Sequence, residues 1–180
     1  MELLVPLTPP PLLLQRSEIF LTATDTNVGK TTISCLIASL WRAQGRDVAA
    51  IKPWASGGKL LPGGALQCDD ARLLWEASTT NGRALMQAVT GLQPNAALIG
   101  GSEPIAPWTS MERDHINGLR EVPSALMRLK IAARREGIAL IVEGIGGLLV
   151  PLAEDYLLAD AMQELALPTV LVTRTQLGTI

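Results

Sequence analysis

The residues of this sequence best suited to chemistry fall in four places. The first is T-D-T-N-V-G-K-T, Thr24 to Thr31, between a short apolar run at 18–23 and a helix-length amphipathic stretch at 31–44. A strand running into Gly-Lys-Thr before a helix aims successive backbone N–H groups and the helix's positive end at one spot. That makes an anion cradle, to which the lysine adds a point charge. The usual phosphate-loop pattern, G-x-x-x-x-G-K-[ST], fails at its first position, where Thr24 stands, while Gly29-Lys30-Thr31 is intact. The second place is Lys52 in I-K-P-W-A-S-G, just past a candidate strand at 48–51. Open α/β sheets receive their ligands at the carboxyl ends of strands, so a lysine there is well sited to act on one. The third is the pair Asp69-Asp70, at the start of a short candidate helix. Either can ligate magnesium, and either can instead cap the helix. The fourth is Glu143 in V-E-G-I-G-G-L-L-V-P-L, directly after the apolar run I-A-L-I-V. Magnesium takes hard oxygen ligands and keeps waters, so one or two carboxylates, a threonine hydroxyl and phosphate suffice to hold it. Gly144, Gly146 and Gly147 allow the backbone to approach a ligand closely.

These residues need a scaffold that brings them together, and the chain alternates accordingly. A strand over 18–23 leads to a helix over 31–44 that stops at Gly45, and then to a strand over 48–51. A long loop rich in Pro and Gly follows, then a short helix over 69–77 with acids where the helix dipole favours them. Residues 79–119 read as loops with some helix. P-S-A-L-M-R-L-K-I-A-A-R-R-E, 123–136, is an amphipathic helix ended by Gly137; its basic run reads as a solvated face. A continuous apolar strand over 138–142, a helix near 156–165 and a strand over 169–173 complete the pattern. Strands alternating with helices predict an α/β fold with an open, mostly parallel sheet flanked by helices. Residues 18–180 read as one domain, and residues 1–17, interrupted by Pro9-Pro10-Pro11, as a loose leader without the charged start of a secretory signal.

Composition sets limits. Fifteen Lys and Arg stand against 17 Asp and Glu, and aromatics make up 3%. Nothing there marks a nucleic-acid partner, and no stretch has the apolar length of a membrane span. Cys35 and Cys68 have neither zinc nor disulfide-scaffold spacing and read as buried thiols of a reducing, cytoplasmic compartment. The single histidine, His115, sits in a polar loop with no partner pattern. Trp54, Trp75 and Trp108 read as fillers of core or pocket walls.

T-D-T-N-V-G-K-T, then K-P-W-A-S-G, then E-G-I-G-G, in that order, resemble the dethiobiotin synthetases, as does L-P-T-V-L-V-T-R-T-Q-L-G-T-I at the carboxyl end. The resemblance covers most of 19–180 and implies a P-loop NTPase-like ligase of biotin biosynthesis. Such an enzyme uses ATP and Mg2+ to join carbon dioxide to 7,8-diaminopelargonic acid, and it works as a homodimer. One amine takes up carbon dioxide as a carbamate, ATP phosphorylates it, and the second amine closes a five-membered urea. By the same resemblance Asn27, Val28, Gly29, Lys30, Thr31 and Thr32 cradle the nucleotide phosphates, with Gly144, Ile145 and Gly146 alongside. Lys52 is the catalytic lysine, assisted by Lys30; Thr31, Asp70 and Glu143 hold magnesium. Ser56, Thr26 and Gly147 face the substrate, although Thr26 and Ser56 can equally serve as turn residues.

The sequence departs from the family in three ways. Ala23 stands where glycine is usual and Trp108 where a histidine is usual. Family members also continue past the leucine-glycine turn with elements that grip adenine and support the dimer. Two other readings stay open: a related P-loop synthase or amidotransferase, and a nucleotide-binding module without turnover.

Overall fold

The computed structural model describes residues 15–174 of the 180-residue chain. Most of the leader, and the leucine-glycine turn, lie outside the described residues. In chain order the elements are β1 (Glu18–Ala23), α1 (Lys30–Ala43), β2 (Val48–Ile51), β3 (Trp54–Ser56), β4 (Lys59–Leu60), β5 (Leu66–Gln67), α2 (Asp69–Ala77) and α3 (Thr80–Thr90). After these come β6 (Ala96–Ala97), β7 (Ile99–Gly101), α4 (Pro107–Arg113), α5 (Val122–Glu136), β8 (Ala139–Gly147), β9 (Pro151–Ala153), β10 (Tyr156–Leu157), α6 (Leu158–Leu165) and β11 (Thr169–Val172).

The central sheet has the order β11-β1-β8-β2, with all its pairings parallel. Side chains alternate across it. Ile19, Leu21, Val48, Ala50, Ala139 and Ile141 face α1 and α2, packing on Ile37, Trp41 and Leu74. Phe20, Ala49, Ile51, Leu140 and Val142 face the other way, onto Met86 of α3, Leu126 and Leu129 of α5 and Leu158 of α6. Strands covered on both faces must be apolar throughout, which is why these runs show no polar alternation in sequence. The α/β architecture is as read.

This order has one consequence for chemistry. Because β8 lies between β1 and β2, the loop after β1 and the carboxyl ends of β8 and β2 come to one edge of the sheet. The alternation then decides where Glu143 points. It continues the series Ala139, Ile141, so it faces α1.

Several details differ from the sequence expectations. The long loop after β2 contains the short strands β3, β4 and β5 and a 3-10 turn at Pro62–Gly64. Residues 79–119 are more ordered than expected and include the whole of α3, capped by Thr79, whose hydroxyl accepts from the Gly82 amide at 3.2 Å. A glycine at position 82 weakens the helix locally. In the fold it lets α3 lie against β2, where an added Cβ would stand 2.0 Å from the Val48 carbonyl oxygen. Gly82→Ala is therefore expected to destabilise the protein by about 1–3 kcal/mol, the range for overpacking, read as a lower urea midpoint with an unchanged m-value.

The strand read as 138–142 runs on through Gly147, and the helix near 156 starts at Leu158, since Tyr156 and Leu157 pair with β9. The basic run on α5 is not wholly solvated: Lys130 is buried and donates to the Leu165 carbonyl at 2.6 Å, tying α5 to the end of α6. Cys35 and Cys68 are free and only half-buried. Trp54 is fully buried, whereas Trp75 and Trp108 are partly so, all three against the same core. Among the described residues no helix is long and apolar enough to cross a membrane.

Candidate active site

Gly29 precedes α1 with φ +96°, a conformation that only glycine adopts without strain, and Asn27 is also left-handed at φ +55°. These two positions curl the loop over the amino end of α1. Lys30 folds back across it, its ammonium donating to the Asp25 carbonyl at 3.2 Å. Burial, and next the neighbouring Lys52 charge, hold the Lys30 ammonium below its ordinary value. A residue from the far edge of the sheet fastens the same loop: Arg174, just past β11, donates to the Asn27 carbonyl at 2.7 Å.

Beside the loop lies a charge cluster. Glu143 is fully buried and Lys52 is 4% exposed. The Lys52 ammonium stands 2.7 Å from Glu143 Oε1 and 3.0 Å from Asp70 Oδ2, and it donates to the Gly144 carbonyl at 3.2 Å. Thr31 Oγ1 donates to Glu143 Oε1 at 2.7 Å, and Ser34 Oγ donates to Oε2 at 2.6 Å. Burial alone would lower the pKa of Lys52, but the Glu143 and Asp70 carboxylates outweigh it and raise the pKa above the ordinary value. Burial pushes Asp70 up, yet the Lys52 ammonium, with hydrogen bonds from Lys52 and Thr31 and the Lys30 charge, brings it below its usual 3.8.

The signs follow from linkage. Asp70, with its folded pKa lowered, contributes stability above pH 3.8 that is lost as pH falls through the lower folded value. Lys52, with its folded pKa raised, contributes stability in full below 10.5, and loses it as pH rises through the folded value. Thermal melts of wild type and Asp70→Asn should therefore differ at neutral pH and converge as the solution is acidified below 3.8.

A cavity of about 420 Å³ opens over the cluster. Lys30, Lys52, Asp70, Thr26, Asn27, Ser56, Ile145 and Gly146 all lie on its wall. The two acids of α2 separate clearly. Asp70 turns in to Lys52, whereas Asp69, with its side chain 91% exposed, pairs with Arg72 at 3.5 Å. Opposite Leu21 and Ala23 of β1, β8 bulges, which brings Ile145 and Gly146 to the cavity wall, while Gly144 stays buried against Phe20 and Leu158. Gly146 is left-handed at φ +56°.

Three of the expected residues stand apart. Val28 is half-buried within the loop, Thr32 is exposed in the first turn of α1, and Gly147 packs behind the loop, its would-be Cβ 3.1 Å from the Thr24 carbonyl. Trp108 lines a separate cavity of about 240 Å³, and His115 is exposed. Sequence reasoning missed Ser34, Cys68 and Pro104, which line or brace the site, and Arg174. Ser34 was findable, being one helical turn past Thr31 on the same face. The others depend on where loops and β11 fall.

The donor set is a test of the metal the site suits. Thr31, Glu143 and Asp70 offer only hard oxygens, and the described residues contain no group of three or more His, Cys, Asp or Glu that could hold a metal. Two carboxylates and a hydroxyl fit magnesium completing its shell with water and phosphate, and do not fit a zinc site.

A family model described as an AAA domain matches residues 17–180. The chain belongs to that family. It is also similar to proteins named ATP-dependent dethiobiotin synthetase. One from Bacillus velezensis is 36% identical over 165 residues, covering 91% of this chain and 63% of the relative. Another from Bacillus licheniformis is 37% identical over 165 residues, covering 89% and 62%. A third from Aromatoleum aromaticum is 32% identical over 161 residues, covering 89% and 66%. The chain spans just under two thirds of the length of these relatives.

Proposed function

We propose that this chain is an ATP- and Mg2+-dependent dethiobiotin synthetase, which carboxylates 7,8-diaminopelargonic acid and closes its ring. The observation that carries this reading is the meeting of Lys52 with Glu143 and Asp70 beside Lys30 and Thr31. A phosphate cradle alone would suit many nucleotide-binding proteins. A second buried ammonium over the same cavity suits a reaction in which two anions, a carbamate and a phosphate, must approach each other.

In this reading the backbone from Asn27 to Thr32 receives the nucleotide phosphates, and Lys30 pairs with the outer ones. Thr31, Asp70 and Glu143 hold magnesium, which when bound neutralises phosphate charge. One substrate amine adds to carbon dioxide to give a carbamate. A carbamate oxygen takes the terminal phosphoryl group, releasing ADP, and the second amine attacks the carbonyl carbon, expelling phosphate. Lys52 bridges the carbamate and the phosphoryl group, offsetting charge as the two come together. Ser56 and Thr26 orient the diamine from the cavity wall. Residues 18–180 belong to one P-loop domain, and the protein works as a cytoplasmic homodimer.

The test is direct. Purified chain is incubated with diaminopelargonate, bicarbonate and Mg-ATP, and dethiobiotin is measured by mass spectrometry. Product is the expected result. Nucleotide binding without product would favour a binding module, and absence of both would overturn the proposal.

A further inference from the structure

We propose that Ser34 is a positioning residue of the nucleotide–metal site, its hydroxyl fixing the Glu143 carboxylate so that Oε1 faces the mouth of the loop. This rests on the reading of Glu143 as a magnesium ligand given above.

The geometry is specific. A glutamate carboxyl group turns about a broad terminal torsion, so its two oxygens exchange places unless both are held. Oε1 accepts from Thr31 at 2.7 Å and from Lys52 at 2.7 Å, and Oε2 accepts from Ser34 at 2.6 Å. Ser34 and Glu143 are both fully buried, so water does not replace the serine. Thr31 and Ser34 lie one turn apart on α1, and a single helix thereby grips both oxygens of a residue on β8.

The residue type supports the role. A serine inside a helix ordinarily bonds the carbonyl four residues back or points to solvent, and it forms helix less readily than alanine. Ser34 instead sends its hydroxyl across to the strand. Its hydroxyl is placed where a carboxylate carrying a metal needs a second hydrogen bond to hold its plane, the task performed by outer partners in metal sites generally.

Stability alone cannot distinguish this from simple satisfaction of a buried acid, so the readout is metal affinity. Mn2+ binding in the presence of ADP is followed by electron paramagnetic resonance on the full chain. Ser34→Ala is expected to weaken Mn2+ binding about 10–100-fold, with metal-free ADP affinity within about twofold of wild type. Ser34→Thr, which keeps the hydroxyl, should restore most of the affinity. Ser78→Ala serves as control, because Ser78 is a buried hydroxyl bonded to the Ala50 amide at 2.9 Å, and its loss should lower the melting temperature alone. Unchanged Mn2+ affinity in Ser34→Ala, at any stability, overturns the assignment. If Ser34→Ala does not fold, Ser34→Thr and Ser34→Cys carry the test: the weaker S–H donor should bind Mn2+ less tightly, and equal affinities overturn it. Failure of wild type itself to bind Mn2+ more tightly with ADP than without would instead remove the metal reading of Glu143, and this inference with it.

Discussion

Lys52→Met is expected to abolish dethiobiotin formation and to destabilise the fold. The two effects share a cause. The ammonium is 4% exposed and is bonded to Glu143, Asp70 and the Gly144 carbonyl. Removing it strands a fully buried carboxylate, and breaking a buried ion pair from one side costs about 3–5 kcal/mol. Asp70 adds little to that figure, since its side chain is 49% exposed and water can replace the lysine there. Turnover should fall at least about 10²–10³-fold, the loss seen when one preorganised donor to a developing charge is removed. Urea unfolding measures the first effect and product assay the second. A double variant, Lys52→Met with Glu143→Gln, separates them. Neutralising both partners should recover much of the lost stability and none of the activity. Recovery of activity would show that Lys52 serves the fold alone.

Glu143→Gln should leave the fold closer to native and still disable the site. The amide is the same shape, and Ser34 can rotate its hydroxyl to accept from the new NH2 group, while the amide oxygen keeps Thr31 and Lys52. The negative charge is what disappears. The expected outcome is a fall in kcat of about 10²-fold or more, with the Mg2+ needed for half-maximal rate raised by about 10-fold or more. Metal-free ADP binding, which depends on the loop and Lys30, should change little. Titration of rate against Mg2+ at saturating ATP checks this. An unaltered Mg2+ requirement would remove Glu143 from the metal site.

The central sheet was legible because β1, β2 and β8, buried on both faces, are apolar runs, and the helices packed on them have clear stops. Gly45 and Gly137 both end their helices in the left-handed conformation that the sequence reading asked of them. Apart from α2, read at 69–77 as it stands, the region from 53 to 119 was not, because its strands are two or three residues long and are held by distant partners. Trp54–Ser56, for example, pairs with Ile99–Gly101, more than forty residues on. α3 was hidden because its core-facing stripe of Gly82, Leu85, Met86 and Val89 opens on a glycine, which weakens the helix signal in sequence. In the site, residue types announced Lys30, Lys52 and Glu143. The choice between Asp69 and Asp70 needed the rotation of α2 about its axis, which neighbouring letters do not encode. Ser34 was overlooked although it lies one turn past Thr31, because a helical serine shows which residue it serves only once the strand opposite it is known.

The tether from Arg174 to Asn27 bears on how the protein matures. The two residues are 147 positions apart, so the nucleotide loop leaves the ribosome long before its outer fastening does. Nascent chains halted ahead of β11 would carry the loop without that clasp, and with β1 missing one of its two sheet neighbours. The loop's outer fastening thus forms only once β11 and the residues just past it have been made.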